Sequence, residues 1–453
     1  MDAIISFCGL CTLLVIGKAL RTAIPLLQRL YLPSSVIGGL VGLLILQLDK
    51  NNVLCHWTTG WNEIPGFLIN VVFAALFLGM TTPNLKRVWG LAAPQFCFGQ
   101  LLAWGQYAVG LGIVGFFLLP LFGVPAAFGN LLEIGFEGGH GTVAGLSQTF
   151  DQLGWATGKD LGFTMATIGM ILGITLGMAM INFAARRGYI GNIRNFKDLS
   201  KLERRGIYRA DAQPPAGKQT IFSDSIDSLA WHIAMIGLAV LIGYAIKSGL
   251  GALDKIAPEW LHNLKVLTSF PLFPLCMIGG LILQNTAERV HLEPLIDHGQ
   301  MQRISGAALD FLVVSAVASI RIDVVTSYWQ PLLILALCGT LWNVTMVLFI
   351  APKIFKEAWF ERSIAEFGQS MGVTATGLLL LRTVDPESKT VASQAFGYKQ
   401  LLHEPFMGGG LITSLALPLV FSSGWLPFWL FSVIIVLLLS LFAWRIAKTK
   451  SMD

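Results

Sequence analysis

The chain has 453 residues, 54% hydrophobic and 13% charged, with a mean hydropathy of +0.67. A soluble domain carries about 25% charged residues, so a soluble globular fold is excluded and an all-α polytopic membrane protein is expected. The net charge of +5 sits in loops assigned to one membrane side, which argues against nucleic-acid binding, and the six cysteines lack zinc-ligand spacing.

Apolar segments of about 20 residues, enough to cross a hydrocarbon core, begin the chain near 3–20, 34–48, 65–82, 93–120 and 160–185. The N-terminus lacks the basic flank of a cleavable signal peptide, so the first span is expected to be retained. A glycine-rich break, Phe136-Glu137-Gly138-Gly139-His140-Gly141-Thr142, lies between the fourth and fifth spans. A charged linker with a Pro214-Pro215 pair follows at 187–226 and reads as a solvated cytoplasmic tether. Further spans are expected near 227–248, 266–284, 304–321, 331–352 and 401–421. A second break, Phe367-Gly368-Gln369-Ser370-Met371-Gly372-Val373-Thr374, precedes the last of these. The final span, 425–444, has no counterpart in the first half and reads as an add-on remote from any site.

The chain repeats itself. Val36-Ile37-Gly38-Gly39-Leu40 matches Met277-Ile278-Gly279-Gly280-Leu281, and Ile45-Leu46-Gln47 recurs as Ile282-Leu283-Gln284. Residues 1–186 and 227–421 therefore form two repeats of five spans and one break each, and 422–453 hold the extra helix and tail. Five is odd, so the second repeat is inverted. With the N-terminus outside and the C-terminus cytoplasmic, 25 of the 31 Lys and Arg residues fall inside, as the positive-inside rule requires. On that topology segments 121–159 and 353–400 each begin and end on one side. Each is expected to be a re-entrant hairpin, and the two enter from opposite faces.

Broken helices at corresponding positions of two repeats mark the substrate site of a secondary transporter. Glycine permits the reversal, and a helix starting beyond each tip, near Thr142 and Thr374, offers free N–H groups to a carboxylate. Carbonyls ending the preceding arm suit Na⁺. Glu137, at membrane depth, binds a cation or an ammonium, carries a proton, or sits paired. His140 bonds substrate or holds the turn. Thr142, Ser370, Thr374 and Thr376 offer hydroxyls or cap helices. Asp310 and its repeat mate Asn70 are further intramembrane polar candidates, and Glu133 is a weaker one. His403 and Glu404, at the expected mouth of a span, read as interfacial. No HExxH pair or nucleophile elbow points to an enzyme.

At these residues the chain resembles the bacterial sodium/glutamate symporters. The resemblance is carried by Gly138-Gly139-His140-Gly141-Thr142, by Thr167-Ile168-Gly169 with Leu172-Gly173, by Ile37-Gly38-Gly39-Leu40, and by Gly372, Thr374 and Thr376. It implies Na⁺-coupled uptake of L-glutamate across the bacterial inner membrane, with Na⁺ as coupling ion and no other cofactor. It further implies ten core helices, two re-entrant loops, and a homodimer in which a transport domain moves like an elevator against a scaffold. The substrate would meet Gly138, Gly139, His140, Gly141, Thr142, Gln369, Ser370, Gly372, Thr374 and Thr376. Ion coupling would involve Glu137, Asp310, Asn70 or Thr167, and Na⁺ would be held by hairpin backbone and hydroxyl groups. The runner-up is a Na⁺- or H⁺-coupled carrier of another small organic anion. Glu137, Gln369, Ser370 and Ala375 depart from the family's usual residues, which touches the substrate assignment.

Overall fold

The computed structural model describes residues 2–30, 32–49, 54–61, 63–80, 85–190, 200–256, 258–259, 267, 270–355, 357–385 and 389–449. Among them the chain is helical, without strands. Eight helices are long and apolar enough to cross a membrane: Ile4–Ala23, Trp89–Phe122, Thr157–Arg186, Ser228–Asp254, His298–Ala318, Trp329–Ile354, Trp359–Val384 and Trp425–Ala443. The chain is therefore an all-α, multi-pass membrane protein.

Seven of the eleven expected spans appear among these eight helices. The eighth, Trp359–Val384, falls in the segment expected to be a hairpin, and it contains a break. Three expected spans come out differently, and a fourth, Ser34–Leu48, has its expected bounds but is short. Ser34–Leu48 has 15 residues and Ile64–Ala75 has 12, about 22 and 18 Å at 1.5 Å per residue, both shorter than the ~30 Å core. The span expected at 266–284 is Leu272–Arg289, and residues 266, 268 and 269 lie outside those described. The span expected at 401–421 is not one helix. Ala392–His403 and Leu411–Ser423 are separated by a loop through Gly408-Gly409-Gly410, where Gly408 (φ 66°) and Gly409 (φ 111°) are left-handed.

Local chemistry sets several ends. Asp227 caps Ser228–Asp254 by accepting from the N–H groups of Leu229 and Ala230, and Asp297 caps His298–Ala318 through Gln300 N–H. Left-handed Gly123 ends the long helix that reaches Phe122. The two long helices preceding the breaks each carry a π-helical turn, Val114–Leu118 and Met346–Ile350.

The helices fall into two packed groups. In the first, Asp2–Ala23 packs on Ser34–Leu48, and both Ser34–Leu48 and Ile64–Ala75 pack on His298–Ala318; Leu272–Arg289 joins Ile64–Ala75 to Ser228–Asp254. Backbones approach closely there because small residues line the contacts. Gly38 meets the Leu13 carbonyl and Gly279 the Ala239 carbonyl, while Gly39 meets Val314 and Val317 and Gly280 meets Ala74. In the second group, Leu85–Ile113 packs against Trp329–Thr345, Ala392–His403 and Trp425–Thr449, and Thr157–Arg186 packs against both broken segments. The groups meet where Gly139–Gly145 lies on Ile64–Ala75 and His298–Ala318.

One terminal expectation changes. The final helix is not remote. Trp425 and Trp429 stand edge-on to Phe116 at 4.9 and 5.2 Å, and Phe428 stands edge-on to Tyr107 at 5.3 Å. Trp429 Nε1 also donates to the Ala108 carbonyl at 3.0 Å. The linker, read as a solvated tether, is mostly exposed over its described residues 200–226 and is also pinned to the first group at several points. Lys18 Nζ donates to the Arg205 and Gly206 carbonyls (3.0 and 2.9 Å), Lys218 N–H donates to Asp297 (3.0 Å), and Thr220 Oγ1 donates to the Leu295 carbonyl (2.9 Å). Linker residues 191–199 lie outside those described.

Candidate functional site

The second break reverses the chain. Helical geometry fails at Gly372 (φ −164°) and Val373 (φ 63°, ψ 172°) inside Trp359–Val384. Beyond them the arms run back together, so that a Cβ on Gly368 would lie 2.7 Å from Gly377 Cα. The first break falls between Leu131–Phe136 and Gly139–Gly145, with Gly139 at φ 65°. The new helix begins at Gly139 rather than near Thr142, as expected from sequence. The two tips touch, and a Cβ on Gly139 would lie 2.5 Å from Val373 Cγ1. A β-branched residue at positive φ is a genuine outlier, worth about 1–3 kcal/mol of strain.

Thr157–Arg186 seats both tips. Gly162 faces Val143 of the first segment, Gly169 faces Phe136 and the Met371 carbonyl, and Gly173 faces Met371 of the second. The glycines of the Thr167-to-Gly173 motif thus let both breaks approach one helix. His140 pairs with Thr167 Oγ1 at 2.9 Å and is buried, so the histidine and the threonine form one contact. Thr142 Oγ1 donates to the Gly408 carbonyl at 3.1 Å. Thr376 Oγ1 donates back to the Gly372 carbonyl. Gln106 and Asn343, 237 residues apart and within hydrogen-bond reach of each other, both donate to the Ser370 carbonyl.

Most of the charge at the tips comes from elsewhere. Ala392–His403 with Glu404 presents Lys399, Gln400, His403 and Glu404 on adjoining turns, and each reaches a break. His403 Nε2 lies 2.8 Å from Glu137 Oε1, both side chains are fully buried, and Gln100 bonds the other ring nitrogen at 3.1 Å. Lys399 Nζ lies 2.9 Å from Glu366 Oε2, again with both side chains fully buried, and donates to Gln369 Oε1 at 3.0 Å. Thr374 Oγ1 donates to Glu404 at 2.8 Å, and Gln400 donates to both. Behind Glu366, Gln95 donates to its carboxylate and accepts from Arg362, whose guanidinium also caps the Leu91 carbonyl and lies 4.4 Å from the Phe355 ring centroid. Glu133 accepts from Tyr107, Thr413 and the Gly408 N–H.

His403, read as interfacial, is thus buried within the protein, as are Lys399 and Arg362, counted as loop charges. Each is offset by a carboxylate, an amide or a carbonyl, and a hydropathy profile cannot register such compensation. The available signals were the spacing of Lys399, Gln400, His403 and Glu404 on one helix and the triplet Gly408-Gly409-Gly410.

Around the tips Glu137 Oε2, Ser370 Oγ, Gln106 Oε1 and Gln400 Oε1 are buried without a well-formed hydrogen bond, and Glu366 Oε2, likewise without one, faces the Lys399 ammonium. Gln369 and Ser370 lie beside the Glu137 carboxyl. Asn70 and Asp310 are elsewhere. Asn70 donates to the Gly66 carbonyl of its own helix at 2.8 Å, and Asp310 lies beside Ser35. An open cavity of about 330 Å³ lies away from the tips, lined by Tyr189, Trp359, Glu361 and Lys389 among others; it lacks the convergent buried groups, and the chemistry is concentrated at the tips.

The arrangement offers buried carboxylates and carbonyls for a cation, and hydroxyls, amides and a lysine for an anion. No curated protein matches the chain. A family model described as sodium/glutamate symporter matches residues 1–384, and the chain belongs to that family.

Proposed function

We propose that this protein imports L-glutamate with Na⁺, holding both between the two tips, and alternates access by an elevator-like movement of the second helix group against the first. Membership of a transporter family sets the class of activity. The observation that carries the site is the meeting of Gly139 and Val373 beside the unpartnered atoms of Glu137, Ser370 and Gln400. Buried polar atoms of this kind cost about 1–3 kcal/mol each unless a ligand or ion satisfies them.

Charge explains the coupling. Four carboxylates, Glu133, Glu137, Glu366 and Glu404, surround the tips, against the two cations Lys399 and Arg362. An anionic substrate entering such a place needs company from positive ions, and burial makes that requirement steep. Na⁺ suits oxygen ligands such as these, and the helix beginning at Thr374 suits a carboxylate. The contacts of Gly39 with the His298 helix and of Gly280 with the Ile64 helix are reciprocal between the repeats, as is the meeting of Gln106 with Asn343. They support two inverted repeats with re-entrant breaks. The positive-inside count supports an N-terminus outside the bacterial inner membrane, and the resemblance supports a homodimer.

The test is uptake of labelled L-glutamate into proteoliposomes under an inward Na⁺ gradient, with K⁺ as control. Na⁺-dependent accumulation that unlabelled glutamate suppresses is expected. No accumulation by folded, inserted protein would overturn the substrate assignment and direct the search to other organic anions and proton gradients.

A further inference from the structure

A carrier of glutamate must tell the side-chain carboxylate from an amide, and neither tip carries a cation to do so. Within reach of the tips the structure offers two buried cations, Lys399 and Arg362. Arg362 is fully engaged by the Leu91 carbonyl, Gln95 and the Phe355 ring, and it lies ten residues before the tip. Lys399 is different. Its ammonium sits between Glu366 and Gln369, so it links the arm of the second hairpin to the Ala392 helix. Four residues on, His403 holds Glu137 of the first hairpin, whose second oxygen has no partner. Gln400, next to Lys399, likewise has an unpartnered oxygen beside Thr374. A lysine in this position has three donors on a flexible stem and can exchange one carboxylate partner for another without leaving its place.

We infer that Lys399 is the specificity-determining cation of the site: it is held by Glu366 when no substrate is bound and taken over by the side-chain carboxylate of the substrate. Glu366 is then an internal competitor of the substrate, a carboxylate tethered where the ligand's carboxylate will bind. This inference rests on the function proposed above and adds to it a named counter-charge. Lys399 also lies beyond Val384, where the family match ends.

The experiment compares Na⁺-driven uptake by wild-type protein with Glu366→Gln and with the double variant Lys399→Gln/Glu366→Gln. The double variant replaces a buried pair by two neutral amides of similar shape, so it avoids the unpaired charge that Lys399→Gln alone would bury. Glu366→Gln removes the competitor and is expected to lower the KM for glutamate about threefold or more. The double variant is expected to raise that KM about tenfold or more, and to lose the preference for glutamate over glutamine as a competitor of uptake. A purely structural ion pair gives another pattern. Glu366→Gln would then raise the KM as the double variant does, or the double variant would keep the wild-type KM and preference; either result overturns the inference. Wild-type protein without Na⁺-dependent glutamate uptake overturns the functional reading instead, and this inference with it.

Discussion

Gly139 meets two constraints at once, a left-handed backbone and the Val373 side chain at the other tip. Gly139→Val should therefore strain the backbone by about 1–2 kcal/mol and push the tips apart. Uptake is expected to fall about 100-fold or more, since misplacement by an ångström costs that much in a positioned site. Size-exclusion profiles should stay those of folded protein; wild-type uptake in this variant would remove the tips from the mechanism. Glu137→Gln keeps an oxygen for His403 and deletes the charge. The Na⁺ concentration for half-maximal uptake should rise about tenfold, the worth of a hydrogen bond to a charged group, with expression unchanged. An unaltered Na⁺ dependence would leave Glu137 a structural partner of His403. How much of this was legible differs residue by residue. The glycines, His140 and Thr142 could be read because conformational need is local to the sequence. Lys399 and His403 share one helix in the sequence, but their burial could not be read, because the partners that offset it, Glu366 and Glu137, lie 33 and 266 residues away.

Helices could be read where they are long and uniformly apolar, and misread where they are short or broken. The Gly408–Gly410 loop sits inside an apolar run, marked in the sequence by its glycine triplet alone, and Glu133 and Thr142 are partners that hold it. The final helix lacks a repeat mate, so nothing local reveals that Gly112 and Gly115 make room for Trp429 and Trp425. Between helices in lipid, packing of this kind takes over from the hydrophobic effect. Gly115→Leu should collide with Trp425 and lower stability by about 1–3 kcal/mol, the usual penalty of overpacking. Uptake should fall with it, because Phe428 of that helix supports Tyr107, which holds Glu133. Thermal unfolding and uptake on one preparation test this; a variant with wild-type values in both would make the last helix a passive appendage after all.

The molecule as a whole is two groups of helices joined where Gly139–Gly145 lies on Ile64–Ala75 and His298–Ala318, where Gly409 meets Phe73 and Phe273, and through the Arg321–Asp160 ion pair. If transport moves one group past the other, fixing them together must stop it. Gly66 of the first group faces Ala144 of the helix Gly139–Gly145, with a Cβ at Gly66 falling 3.7 Å from the Ala144 carbonyl. Gly66→Cys/Ala144→Cys, in a chain whose native cysteines are replaced, should lose uptake on cross-linking and regain it on reduction. Undiminished uptake with the bond formed would exclude relative movement at this contact. The backbone of Val373 adds a mechanical consequence. Its left-handed conformation loads the meeting of the tips like a spring, and 1–3 kcal/mol of such loading shifts a two-state balance by about 5- to 150-fold. The joined arrangement is thus held shut by its contacts against a standing recoil.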